Sequence, residues 1–146
     1  MKKSLSEILD FEPGTCTGAQ VRKLNRIVSK KYNDALSPFG VNISQANIIF
    51  ATSSKNGILQ TEIASALVLE RSTLHRDIKR LIDRNLLRLD KNPNIKSPSV
   101  YLTDEGNAFV KSFLPSWKRT QKEIEEILGN ELVGSIPAMS AQLQKK

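Results

Sequence analysis

The residues best equipped for chemistry stand together in "ERSTLHRDIKRLIDRNLL", from Glu70 to Leu87. Leu74, Ile78, Leu81 and Ile82 recur at helical spacing and span an arc of about 100°, the stripe of a core-facing helix. Arg76 falls nearly opposite that stripe, Ser72, Thr73, Lys79 and Arg80 surround it, and His75 lies on the flank. Hydroxyl, imidazole and guanidinium groups can match donor and acceptor patterns on base edges in a major groove. Cations farther along reach phosphates, which hold position and supply affinity. A solvated helix face also carries cations, and Lys79 has Asp83 four residues later as a surface partner.

The segment after the helix favours nucleic acid. Between Glu70 and Tyr101 eight cations stand against four anions, over half of the chain's formal excess of +7 in about a fifth of its 146 residues. "DKNPNIKSP" holds Lys91 and Lys96 between two short strand candidates, Leu86–Leu89 and Ser99–Leu102, and so reads as a projecting hairpin loop. A basic chain of this kind suits double-stranded DNA as its partner.

Other chemistry finds little support. His75, Ser72 and Asp77 do not converge on one helix face, so no catalytic triad forms and no enzyme is expected. The single histidine has no clustered carboxylates or cysteines near it, and neither a metal nor a cofactor is expected. Cys16 is the only cysteine, which rules out an intrachain disulfide. It precedes a helix, whose N-terminus can lower a thiol pKa, but a single cysteine beside an arm is more often incidental. Phe109, Phe113 and Trp117 share a helical spacing that suits either a ligand pocket or a dimer core.

The positioning elements can be read from the same periodicities. Residues 1 to about 15 read as a loose arm ending at Pro13-Gly14. A long helix is expected from about Thr17 to Leu36, with a capping-box pattern in Thr17 and Gln20 and with Val21, Leu24, Ile27, Val28, Tyr32, Ala35 and Leu36 at 3- and 4-residue spacing. "SPFG" stops it. Ser44 is expected to cap a second helix to about Ser53, and "QTEIASAL" forms a third. Thr103 caps a long helix from Asp104 to about Leu128, which Pro115 should kink. Asn130 caps a weaker last helix. Helix, turn, helix and hairpin in that order predict a mainly α fold with a small two-stranded β wing. No apolar run is long enough for a signal peptide or a membrane span, so a soluble cytoplasmic protein is expected, without membrane contact.

"LQTEIASALVLERSTLHRDIKRLIDRNLL", "VYLTDEGNAF" and "VRKLNRIVSKKYNDALSPFGVNISQANIIF" together resemble the multiple-antibiotic-resistance-regulator (MarR) family of winged-helix transcription factors over nearly the whole chain. The resemblance implies a single domain, 1–146, with a DNA-binding winged-helix lobe at 44–103. It implies dimerisation helices at 1–36 and 104–146, and a homodimer that sets two recognition helices about 34–36 Å apart. It further implies a repressor that binds a pseudo-palindromic operator and is released by a small aromatic or anionic effector. Carried over by position, Ser72, Thr73, His75 and Arg76 contact bases and backbone, and Arg71, Lys79, Arg80, Lys91 and Lys96 join them on phosphates. Where relatives commonly carry Asp-x-Arg in the wing, this chain has Asn94-Ile95-Lys96. Lysine lacks the planar fork of arginine, so Lys96 is expected on a phosphate and not in the minor groove. Peroxide-sensing relatives place a reactive cysteine in the region where Cys16 stands, so the resemblance implies a thiol-based peroxide sensor as one alternative; the other is a winged-helix module for protein contact.

Overall fold

A computed structural model describes residues 1–10 and 12–145. Phe11, within the expected arm, and Lys146, at the end of the expected domain, lie outside the described residues. The arm is not loose throughout: it contains a short helix, α1 (Leu5–Leu9). Ser4 and Glu7 form a reciprocal capping box at its start, a local signal that the apolar pattern does not carry.

Helix α2 (Thr17–Leu36) has the expected bounds but a different start. Its N-cap is Cys16, which makes no side-chain cap bond, and Gln20 Nε2 donates instead to the Gly14 carbonyl at 2.9 Å. The "SPFG" stop holds: a turn of 3₁₀ helix covers Ser37–Phe39 and Gly40 closes it at φ +71°. Helix α3 (Ile43–Ser54) begins before Ser44, because Asn42 and Gln45 cap each other reciprocally.

Strand β1 (Ile58–Leu59) leads directly into α4 (Gln60–Leu67), and the reading helix comes next as α5 (Arg71–Asp83). Strands β2 (Leu87–Asp90) and β3 (Ser99–Leu102) pair antiparallel as a hairpin, with Leu89 opposite Val100. The wing is therefore the expected pair of strands plus a third, in the order β1-β3-β2. Two residues of β1 are too few to show an alternating pattern. Ile58 lies opposite Val100 and extends the sheet into the core.

Helix α6 (Asp104–Leu128) starts as expected: Thr103 Oγ1 accepts from the Gly106 N–H at 2.9 Å. It continues unbroken through Pro115. Helix α7 (Asn130–Gln144) comes after Gly129, which occupies the cap position expected for Asn130. The core gathers Leu36, Ile48, Ile49, Ile63, Leu74, Ile78, Leu81, Leu87, Val100 and Phe113. It therefore ties the α2 end, α3, α4, α5 and the sheet to α6.

Gly106 sets the distance between α6 and the wing. A Cβ at this position would collide with the Leu86 carbonyl oxygen and press on Leu102. Backbone cannot yield as a side-chain tip can, so Gly106→Ala is expected to cost about 3 kcal/mol, as overpacked cores do. Urea unfolding of the two proteins checks this.

Candidate nucleic-acid interface

Helix α5 buries Leu74, Asp77, Ile78 and Leu81 and turns Arg71, Ser72, His75, Arg76, Lys79 and Arg80 outward. Thr73 is half-buried and accepts a 3.5 Å hydrogen bond from Arg76. The expected apolar stripe is thus the one that packs, except that Ile82 is only partly covered. The sequence counts Asp77 as an anion and sets it aside as a catalytic partner of His75, and neither reading places it in the interior. Here it faces inward, accepting from Gln45 Nε2 at 3.2 Å and from Ser44 Oγ at 3.4 Å. That buried carboxylate ties α5 to α3 and leaves the outer face of the helix more cationic than the count of charges suggests.

Ion pairs sort the remaining cations. Lys79 lies 3.1 Å from Asp83, the surface pair expected from the spacing, and Arg80 approaches Asp77 at 3.6 Å. Both cations are well exposed, and pairs of this kind contribute little. Among the described residues Arg71, Arg76, Lys91 and Lys96 enter no ion pair. Arg84 is occupied elsewhere. It donates to the Phe39 and Gly40 carbonyls, both at 3.0 Å, and lies over the Phe109 ring at 4.8 Å. Arg88 lies over Tyr101 at 4.1 Å. Two of the eight local cations therefore have structural engagements.

The wing meets the helix at its base. A cavity of about 330 Å³ is lined by Arg71 and His75 from α5, Lys96 and Ser97 from the wing, and Gln60 from α4. Lys91, Ile95 and Lys96 line a second hollow across the hairpin loop. His75, Arg76 and Lys79 border a third beside Leu89. Arg71 and His75, one helical turn apart, thus share one cationic hollow with Lys96, about twenty residues farther along the chain, at the junction of helix and wing.

Short bonds at the α4 start support this junction. Glu62 accepts from the Leu59 N–H and from Lys55, both at 2.8 Å, and Lys55 holds its carboxyl below the usual range, the Leu59 N–H adding to the effect. Gln60, which the sequence left unremarked, is buried and reaches His75. A glutamine at the first position of a short helix carries no signal of that contact.

Of the candidates outside the lobe, the aromatic residues of α6 pack against it. Phe113 is fully buried and packs on Phe39, Phe50 and Phe109, while Trp117 packs on Phe50 and Tyr32. Trp117 Nε1 is buried without a hydrogen-bond partner. Tyr32 donates to Gln121, and burial, with Glu125 second, pushes its phenol pKa up. Cys16 is exposed at the start of α2.

The MarR family sequence model matches residues 39–94, from the turn before α3 to the wing loop. Over that segment the chain is similar to the MarR family. It is 31% identical over 86 residues to the HTH-type regulator YwoH of Bacillus subtilis, covering 59% of this chain and 63% of YwoH. The chain spans less than two thirds of the length of the curated relatives it matches. Two solved structures share the whole MarR fold with it. The repressor CouR bound to a 23-mer DNA duplex is 20% identical with a TM-score of 0.77, covering 99% of this chain and 100% of CouR. A MarR mutant from E. coli complexed with operator DNA is 19% identical with a TM-score of 0.78, covering 98% and 100%. These matches are to regulators and not to enzymes.

Proposed function

We propose that this chain is a MarR-family sequence-specific DNA-binding transcriptional regulator, a repressor, that grips a pseudo-palindromic operator as a homodimer. The observation that carries the reading is the hollow that Arg71 and His75 of the helix share with Lys96 of the wing, with Arg76 exposed beside His75 and, among the described residues, no ion pair to Arg71, Arg76 or Lys96. Arg71 to Arg80 would enter the major groove, Lys91 and Lys96 would hold phosphates, and Ser72, Thr73, His75 and Arg76 would meet bases and backbone phosphates. In this reading the lobe at 44–103 binds the duplex and the helices in 1–36 and 104–146 join two subunits within a single domain per chain. DNA as partner implies the cytoplasm, and no helix among the described residues is long and apolar enough to cross a membrane.

The apolar faces left open by one subunit support the dimer. Val21, Leu24 and Ile27, part of the helically spaced apolar set of α2, are 45–59% exposed, and Ile127, Leu132, Ile136 and Met139 of α6 and α7 are comparably open. Open apolar positions in such number mark an interaction surface, and these are the helices that the family uses for dimerisation. A second copy satisfies it.

Release by a small effector belongs to the same proposal. The Trp117 indole N–H, buried beside Phe113 without an acceptor, is a donor that a polar ligand would satisfy. Such a ligand acts only if it binds the two dimer states with different affinity.

Titration against the duplex upstream of the chain's own operon tests the reading. Arg76→Ala is expected to weaken binding by about 1–3 kcal/mol. Binding indifferent to Arg76 would favour contact with an acidic protein instead.

A further inference from the structure

Gln60 is built into the base of the wing. Its backbone N–H donates to the Pro98 carbonyl at 2.9 Å, and the next residue, Thr61, donates from its backbone to Ser97 Oγ at 3.1 Å. Held there, the Gln60 side chain is 5% exposed and places Nε2 3.0 Å from His75 Nδ1. Its Oε1 is buried with no hydrogen-bond partner.

The direction of this bond fixes what the ring offers. With Nε2 toward His75, the amide leaves one buried oxygen unmet. Turned over, it would place an NH₂ group with two protons in that partnerless position, and each buried group left unmet is costly. The Gln60 N–H therefore donates, Nδ1 accepts, and the neutral ring must carry its proton on Nε2, on the far side from Gln60. If the ring gains a second proton, Nδ1 becomes a donor and the spare Oε1 is the acceptor it needs after a half-turn of the amide. The outer nitrogen stays a donor in both states. Arg71 and Lys96 are the charged groups that share the cavity with the ring.

We infer that Gln60 is a positioning residue that locks His75 as a hydrogen-bond donor toward DNA and so narrows which bases this reading helix accepts. The inference rests on the DNA-reading function proposed above. A donor at Nε2 fits guanine O6 or N7, adenine N7 or thymine O4, and opposes the amino groups of adenine and cytosine.

His75 is the only histidine in the chain, so its ring nitrogens give unambiguous ¹⁵N NMR signals in the full-length protein. At a pH where the ring is neutral, the unmodified protein should show the Nε2–H form alone. Gln60→Glu, whose carboxylate only accepts, should move the proton to Nδ1. Gln60→Met, of similar length, should give a mixture. Selection from randomised half-sites should then shift about fivefold, at one base pair, toward a base with an amino group in Gln60→Glu. A proton on Nδ1 in the unmodified protein, or the same ratio in all three proteins, overturns the inference while leaving DNA binding intact. Tautomers that respond as expected in proteins that bind no duplex overturn the proposed function instead, and the lock on His75 stands.

Discussion

Raising the salt from about 50 to about 200 mM is expected to weaken binding of the dimer to its operator about 10⁴-fold. Each subunit presents Arg71, Arg76, Lys91 and Lys96 without an ion pair among the described residues, so a pair of subunits brings eight such cations. Each phosphate neutralised releases counterions, and eight neutralised phosphates give a slope of about −7 in log K against log salt. Lys79 and Arg80 add less, because separating them from Asp83 and Asp77 offsets part of the gain. Fluorescence anisotropy over a salt series reads the slope directly. Arg71→Ala should flatten it by about 2, since each half of the dimer then neutralises one phosphate fewer. A slope near zero would mean that the cations of α5 and the wing do not touch phosphate.

The second large effect concerns assembly. Leu132→Lys together with Ile136→Lys is expected to leave the subunit folded but monomeric. No residue of α7 is buried within one subunit, so neither change opens a hole in its core. In a dimer both positions would be covered, and an unpaired ammonium in an apolar interface costs several kcal/mol. Operator affinity should then fall by about 10²–10⁴, because the second half-site loses its high effective concentration. Lysine is the stricter choice here: added positive charge attracts DNA, so weaker binding cannot be laid to repulsion. Sedimentation and an operator titration on the same preparation check both halves. A double variant that remains dimeric would place the subunit interface elsewhere.

These outcomes depend on features of unequal legibility. The reading helix was evident, because Leu74, Ile78 and Leu81 repeat at helical spacing and do bury. The Thr103 cap and the hairpin were evident for the same reason: each rests on residues within a few positions of one another. Other local choices were close contests. Asn42 and Ser44 are both good caps, and Asn42 prevails because Gln45, three residues on, returns the bond. Pro115 removes one helix bond, yet α6 continues past it, with Phe113 and Trp117 on either side both packed on Phe50.

The sequence by itself determined the helical periods, the stops, the cationic segment and the winged order of elements, all matters of nearest neighbours along the chain. Tertiary structure alone decided which charges are free. Asp77 turns inward to Gln45, Arg84 closes on the Phe39–Gly40 turn, and Gln60 takes hold of His75, each across 15 to 45 residues of chain. It also decided that Val21, Leu24 and Ile27 stay open on the subunit. An apolar stripe states that a helix face must be covered, and the stripe is the same whether the cover is the subunit's own core or a second copy.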